Sequence, residues 1–342
     1  MDRANYIVGS GSSCEVPHFV RDDMKKKRTT ERYTLADLEN WREATRDVQP
    51  PIRLGVFGDP VAHSFSPQMQ NAALRACKIE MQYARFHIRA NELRSALHVL
   101  TQLDFVGVNL TVPHKIAALQ FVDDVDESAR CIGAVNTIKI DPPKDGFAGA
   151  NHGKLRGFDT DGRGFSRAIR EEFSVDLRDM RVLVLGAGGA GRAIAVQCAK
   201  ENCERLVVAN RTFEKAKQLV DGLRDFFAGP KVFGPVPRLQ AIPWEEAAIR
   251  FQIGHVDLIV NATPRGLSRA DASPVPARLL APHVMIYDTV YSSSRTPFVL
   301  AAIEAGARGA NGLSMLLHQG ALAFEIWFQR EAPIDAMRAA LA

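Results

Sequence analysis

A lysine and an aspartate carry the sharpest chemical suggestion in this chain. Lys115 closes the segment Asn109-Leu110-Thr111-Val112-Pro113-His114-Lys115, where a strand gives way to a helix with Pro113 in its first turn. An ammonium near a helix N-terminus opposes the backbone dipole. That placement and partial burial are expected to lower the lysine's pKa and fit it for proton exchange. Asp161, in Asp159-Thr160-Asp161-Gly162-Arg163-Gly164, falls in the first turn of a helix that Thr160 is expected to cap. There the dipole favours a carboxylate, which would hold and orient a nearby ammonium. An exposed lysine and ordinary helix-start chemistry fit the same two segments. In His63-Ser64-Phe65-Ser66-Pro67 the hydroxyls of Ser64 and Ser66 project to one side of an extended backbone and are able to donate to a single carboxylate. Ser66 fits equally as the cap of the helix that Pro67 begins. Asn136, in Gly133-Ala134-Val135-Asn136-Thr137, is an amide in an apolar, strand-like stretch. Such amides read ligand hydroxyls or sit satisfied in turns and cores.

A second constellation points to a dinucleotide. Gly186-Ala187-Gly188-Gly189-Ala190-Gly191 follows an apolar strand and opens a helix. In that context the first glycine allows a tight turn, the second lets backbone approach a pyrophosphate, and the third lets helix and strand pack closely. The helix N-terminus then binds phosphate. At the end of the next strand, where an NAD site usually carries an acid, the chain has Asn210-Arg211-Thr212. A guanidinium binds a 2′-phosphate that a carboxylate would repel, so the expected cofactor is NADP. A surface arginine starting a loop is the alternative for Arg211.

Alternating strands and helices must hold these segments in place. Strands are expected at Ile52–Phe57, Gln82–His87, Gly107–Leu110, Arg181–Leu185, Arg205–Ala209, Leu258–Asn261 and Met285–Tyr287. Helices are expected at Pro67–Cys77, Asn91–Leu100, Pro113–Phe121, Phe165–Phe173, Gly189–Glu201 and Gly312–Phe328. The alternation indicates βαβ units and mostly parallel sheets. Residues 1–50 read as a polar arm with one short amphipathic helix, started by a capping box at Thr34–Asp37 and ended by Pro50-Pro51. Charges are bunched over Arg21–Arg32, and Lys25–Arg28 reads as a solvated run.

Composition narrows the class. The 342 residues suggest two domains. Hydrophobic residues at 46% and charged residues at 24% exclude overall disorder. An excess of +4, from 43 Lys and Arg against 39 Asp and Glu, is too small to argue for nucleic acid. Residues 1–50 hold nine basic and nine acidic residues, so the excess belongs to the remainder. Five scattered cysteines without a C-x-x-C pair argue against a zinc site or disulfide framework and for a reducing compartment. No metal is expected. The longest apolar run, Val182–Ala199, is interrupted by Arg192 and four glycines, a poor membrane span. With no apolar signal core in the first residues, the cytoplasm is the expected location.

Taken in order, nine segments resemble the shikimate dehydrogenase family: 64–67, 109–115, 133–137, 160–162, 186–191, 210–212, 261–264 (Asn-Ala-Thr-Pro), 287–291 (Tyr-Asp-Thr-Val-Tyr) and 311–319 (Asn-Gly-Leu-Ser-Met-Leu, with Gln319). The resemblance implies reversible NADP-linked interconversion of shikimate and 3-dehydroshikimate, on the route to chorismate and the aromatic amino acids. It implies Lys115 and Asp161 as the catalytic pair, with Ser64, Ser66 and Tyr291 on the substrate carboxylate. Asn109, Thr111, Asn136, Asp161 and Gln319 would read hydroxyls and carbonyl. The cofactor would lie along Gly186, Ala187, Gly188, Gly189, Ala190, Gly191, Asn210, Arg211, Thr212, Thr263, Thr289 and Gly312. The implied fold is an α/β/α substrate domain (51–163 and 313–342) plus a Rossmann domain (164–312), the last helix packing back on the first. A monomer or homodimer is expected. Departures from the family pattern are Asp159, where the family usually has Asn, Arg265 and Ser293. Residues 1–50 have no counterpart in its short members. Alternatives are a quinate/shikimate dehydrogenase and a ligand sensor without turnover, which should lose the Lys/Asp pair.

Overall fold

Two apolar sheets organise the chain. The computed structural model describes residues 32–142, 152–228, 236–267, 271–292 and 295–342. The first part runs β1 (Tyr33–Thr34), α1 (Leu35–Glu39), α2 (Trp41–Ala44), β2 (Ile52–Gly58), α3 (Ser66–Ala76), β3 (Gln82–His87), α4 (Leu93–Leu100), β4 (Gly107–Leu110), α5 (His114–Ala117), β5 (Asp124–Val125), α6 (Glu127–Ile132), β6 (Thr137–Asp141) and β7 (Lys154–Phe158). Helix α7 (Asp161–Phe173) leads into the second part, β8 (Arg181–Leu185), α8 (Gly189–Lys200), β9 (Arg205–Asn210), α9 (Phe213–Asp221), β10 (Leu239–Pro243), α10 (Glu246–Ile253), β11 (Leu258–Asn261), β12 (Met285–Asp288), α11 (Pro297–Glu304) and β13 (Arg308–Asn311). Helices α12 (Leu313–Phe328) and α13 (Ile334–Ala339) close the chain.

The first sheet has the order β1-β3-β2-β4-β6-β7-β5. Strands β1 to β4 pair in parallel, and β6 runs antiparallel to both β4 and β7. Helices cover both faces. Phe57, Phe86, Val108 and Leu110 turn toward α1 and α4, while Leu54, Val56 and Tyr83 turn toward α3 and α12. The charge run at Lys25–Arg28 lies outside the described residues. From Tyr33 onward the segment expected to be arm belongs to this sheet: β1 pairs with β3, and Tyr33 and Leu38 are buried. The Thr34–Asp37 capping box starts α1 as expected and turns Leu38 onto the core. Apolar burial therefore outweighs the polar average of residues 1–50.

The second sheet is parallel throughout, with the order β10-β9-β8-β11-β12-β13. This is the doubly wound Rossmann arrangement, whose strand order reverses between β8 and β11 and opens a crevice at their carboxyl ends. Val182 and Val184 face one core cluster, Leu183 and Leu185 the other. Burial on both faces explains the continuous apolar runs in these strands.

Helix α12 returns to the first sheet. Its Trp327 is buried and donates Nε1–H to the Ile138 carbonyl at 3.0 Å. Gly107 makes the room, since a Cβ there would lie 2.3 Å from Trp327 Nε1. Losing such an anchor to alanine costs about 3–5 kcal/mol. Among the described residues no helix is long and apolar enough to cross a membrane.

Candidate active site

Antiparallel β6 assembles the site. Asn109 on β4 registers with Thr137 on β6, and Thr137 with Phe158 on β7. The segments leaving β4 and β7 therefore emerge at the same edge of the sheet. One carries Lys115, the other Asp161. Lys115 Nζ donates to Asp161 Oδ2 at 2.5 Å, with side chains 16% and 5% exposed. Buried Asn136 donates from Nδ2 to Asp161 Oδ1 at 2.7 Å and to Thr160 Oγ1 at 2.9 Å. Its Oδ1 accepts from the Thr160 amide and from Thr137 Oγ1, both at 2.9 Å. The amide so fastens both Asp161 and the residue before it.

Two expectations are corrected here. Thr160 does not cap α7 with its side chain, because its hydroxyl is engaged with Asn136. Asp159 takes that place: its Oδ1 accepts from the amides of Asp161 at 2.9 Å and Gly162 at 3.4 Å. The pKa of Lys115 is raised, not lowered. Burial pushes it down, but the charge and hydrogen bond of Asp161, with the charge of Asp159, outweigh that. Helix α5 has only four residues, a weak dipole against two carboxylates.

A cluster of polar side chains adjoins this pair. Ser66 is the first residue of α3 rather than its cap, and Ser64 Oγ accepts its amide proton at 3.3 Å. The Tyr291 side chain lies beside Ser64, and that of Tyr83 beside Ser66. Tyr83 also donates to Asn109 Oδ1 at 2.8 Å, and Asn109 Nδ2 donates to Thr137 Oγ1 at 3.0 Å. Burial raises the pKa of Tyr291, while Lys115 and Arg85 pull it down. Arg85 donates to the Ser64 carbonyl from Nε at 3.1 Å and from Nη2 at 2.7 Å. Ser64, Ser66, Asn109, Asn136, Tyr291, Lys115 and Asp161 thus share one polar cluster. Thr111 stands beside Gly58, where a Cβ would lie 2.4 Å from its methyl group. Gln319 packs on Gly164 of α7, whose missing Cβ would lie 2.8 Å from the Gln319 amide nitrogen, and donates Nε2–H to the Leu316 carbonyl at 2.9 Å. Sequence reasoning missed Tyr83 and Arg85. Their signal was a tyrosine and an arginine two apart on a half-buried strand, and so on one face.

The glycine loop lies at the crevice between β8 and β11. Gly186 has φ of 111°, a conformation that favours glycine. A Cβ on Gly191 would lie 2.1 Å from the Gly186 carbonyl oxygen, whereas one on Gly188 would meet nothing within 4 Å. Close packing at one glycine and open space at another suit a phosphate resting on α8, a helix of 12 residues whose second position is Ala190. Asn210 Oδ1 accepts from the Ala187 amide at 3.1 Å, and its Nδ2 donates to the Thr212 carbonyl at 2.8 Å. Arg211 is exposed beside them. Thr263 sits against Gly186, and Gly312 against the Thr289 carbonyl. Asn261 joins these loops, accepting from Thr263 Oγ1 at 2.7 Å and donating to Asp288 Oδ1 at 2.8 Å. Arg265 is exposed, and Ser293 lies outside the described residues. A Cβ on Gly189 would lie 3.1 Å from Lys115 Cβ and Cδ, so the lysine stem packs on the nucleotide loop. A lysine held against a glycine loop of this kind is an arrangement suited to coupled hydride and proton transfer at a carbinol carbon.

Comparisons with known proteins agree. Residues 56–138 match the family model of the shikimate dehydrogenase substrate binding domain, 167–229 that of shikimate / quinate 5-dehydrogenase, and 312–342 that of the shikimate 5′-dehydrogenase C-terminal domain. The shikimate dehydrogenase (NADP(+)) of Desulforamulus reducens is 39% identical over 286 residues, covering 83% of this chain and 92% of that protein. The chain belongs to the shikimate dehydrogenase family. Among solved members, the shikimate 5-dehydrogenase of Thermus thermophilus in complex with NADP(H) and shikimate is 34% identical, with a TM-score of 0.70 over 85% of this chain and 98% of that one. Quinate dehydrogenase from Corynebacterium glutamicum in complex with NAD is 29% identical at the same TM-score of 0.70, over 85% and 98% of the two chains. Lys115 falls within the family's substrate-domain match, and Asp161 between the first two matches.

Proposed function

We propose that this chain is an NADP-dependent shikimate dehydrogenase, interconverting 3-dehydroshikimate and shikimate on the route to chorismate. The observation that carries the reading is the buried Lys115–Asp161 pair packed against Gly189 of the nucleotide loop. The amino end of α8, Ala187 and Arg211 would hold the pyrophosphate and 2′-phosphate, with Asn210, Thr212, Thr263, Thr289 and Gly312 lining the rest. NADPH bound there supplies the hydride for the ring carbonyl. In reduction Lys115 gives its proton to the oxygen that becomes the hydroxyl, and in oxidation it takes that proton back. Asp161 orients the ammonium, and Asn136 orients Asp161. Ser64, Ser66 and Tyr291 hold the substrate carboxylate, and Asn109, Thr111 and Gln319 read its ring oxygens.

Quinate/shikimate dehydrogenase is the second reading, favoured by the combined shikimate / quinate match over 167–229. Arg211 in place of an acid at the end of β9 supports NADP over NAD. The assembled Lys/Asp pair supports turnover over ligand sensing. Steady-state oxidation of shikimate and quinate, each with NADP and with NAD, tests the proposal. Shikimate with NADP should give the highest kcat/KM, and a preference for quinate or NAD would overturn it. A monomeric or homodimeric, cytoplasmic enzyme without a nucleic-acid partner completes the proposal, its assembly measurable by light scattering.

A further inference from the structure

The mechanism leaves a second buried carboxyl, Asp159, without a task. Asp159 is 6% exposed and Asp161 is 3% exposed. Asp159 Oδ1 fastens the first turn of α7 through the amides of Asp161 and Gly162. Its Oδ2 is buried and has no hydrogen-bond partner among the described residues. A bare carboxylate oxygen in a buried site is costly, and a proton on it relieves most of that cost. The charges acting on Asp159 are Asp161 of α7 and Lys115 of α5, while Tyr291 beyond β12 acts on the lysine in turn. With both carboxyls ionised, one ammonium faces two negative charges.

We propose that Asp159 is a positioning residue for proton transfer: it anchors Asp161 through the helix amides and, by carrying or losing one proton, sets how firmly Lys115 holds its own. The inference rests on Lys115 being the proton-exchanging group. Burial, followed by the charge of Asp161, drives the Asp159 pKa up to about 8, against the opposing pull of Lys115 and the two amides. Below that pH the lysine faces one carboxylate, and above it two. Oxidation requires a neutral Lys115, so an ionised Asp159 delays oxidation to higher pH.

The test compares kcat/KM for shikimate oxidation with NADP, as a function of pH, in the parent, Asp159→Asn and Asp159→Ser. Both replacements keep an oxygen able to cap α7 and remove the titrating charge. The rise of kcat/KM with pH should move down by roughly one unit in both variants. An unmoved profile in a variant with the parent's melting temperature would overturn the proposal, because a cap alone does not shift a pH profile. Infrared spectra of the parent give an independent readout. A protonated-carboxyl band should bleach around pH 8, and its absence at lower pH would also overturn the proposal. Failure of the parent to oxidise shikimate would instead overturn the functional reading, with the infrared band still deciding Asp159.

Discussion

Replacing Lys115 with methionine separates the ammonium from the stem that carries it. The stem packs against Gly189, and methionine keeps most of that contact. The ammonium makes a 2.5 Å bond to Asp161, whose side chain is only 5% exposed. Removing a positioned proton donor costs about 10²–10⁴ in rate. At 1.36 kcal/mol per tenfold, that is roughly 3–5 kcal/mol of transition-state stabilisation. Breaking a buried pair costs about 3–5 kcal/mol of stability when the remaining charge has no other partner. Here Asp161 keeps its 2.7 Å bond from Asn136, so a loss of roughly 1–3 kcal/mol is expected. The folded pKa of Lys115 lies above its ordinary value. Its stabilisation is therefore complete below the unfolded pKa and lost only as pH rises through the folded one, which makes the deficit flat from about pH 5 to pH 7, below the range near pH 8 where Asp159 ionises beside it. The assay pairs kcat in both directions with calorimetric shikimate binding and thermal melts. Turnover should collapse while shikimate Kd changes little. A folded Lys115→Met enzyme retaining kcat within about tenfold of the parent would refute proton transfer by Lys115.

Other expectations follow from the same geometry. Arg211→Ser should raise the KM for NADP by about 10–100-fold and leave that for NAD nearly unchanged, as expected on losing charge-assisted bonds to a phosphate. Equal effects on both cofactors would show that Arg211 does not read the 2′-phosphate. Arg85→Met removes two donors from the Ser64 carbonyl, so the KM for shikimate should rise about tenfold with kcat little changed, and Arg85→Lys should recover part of the loss. A fall in kcat at constant KM would count against this. Glu171 joins α7 to α12 and α13 through His318 and a two-point contact with Arg338. Hydrogen bonds from Arg338 first, then from His318, hold its pKa below the ordinary 4.5 despite partial burial. A depressed carboxylate stabilises the fold above its unfolded pKa and loses that contribution as pH falls through the folded one. Glu171→Gln should therefore melt earlier at neutral pH, with the difference closing below about pH 4. A deficit that persists in acid would point to lost packing instead.

Local chemistry made much of the cofactor half legible. Arg181–Leu185 and Leu258–Asn261 are strands at the expected bounds, because apolar runs buried on both faces announce themselves. The glycines at 186 and 191 do what their spacing requires, one through its φ and one through close packing. Edge strands β10 and β13 were not read. They are short and mixed in polarity, and their pairing partners decide them. The antiparallel β6–β7 pair was missed for the same reason. Yet it brings Asp161 to Lys115, 46 residues away in the chain.

The lysine marks where sequence stops. Residue types alone proposed an ammonium, a carboxylate and a phosphate loop, because each motif's chemistry is local. Only tertiary structure decided that Lys115 sits on Gly189, that Asp159 rather than Thr160 caps α7, and that Arg85 and Tyr83 brace the serines. It also reversed the direction of the lysine's pKa. A helix dipole can be read along the chain, but the field at a buried charge sums over groups that only folding brings together.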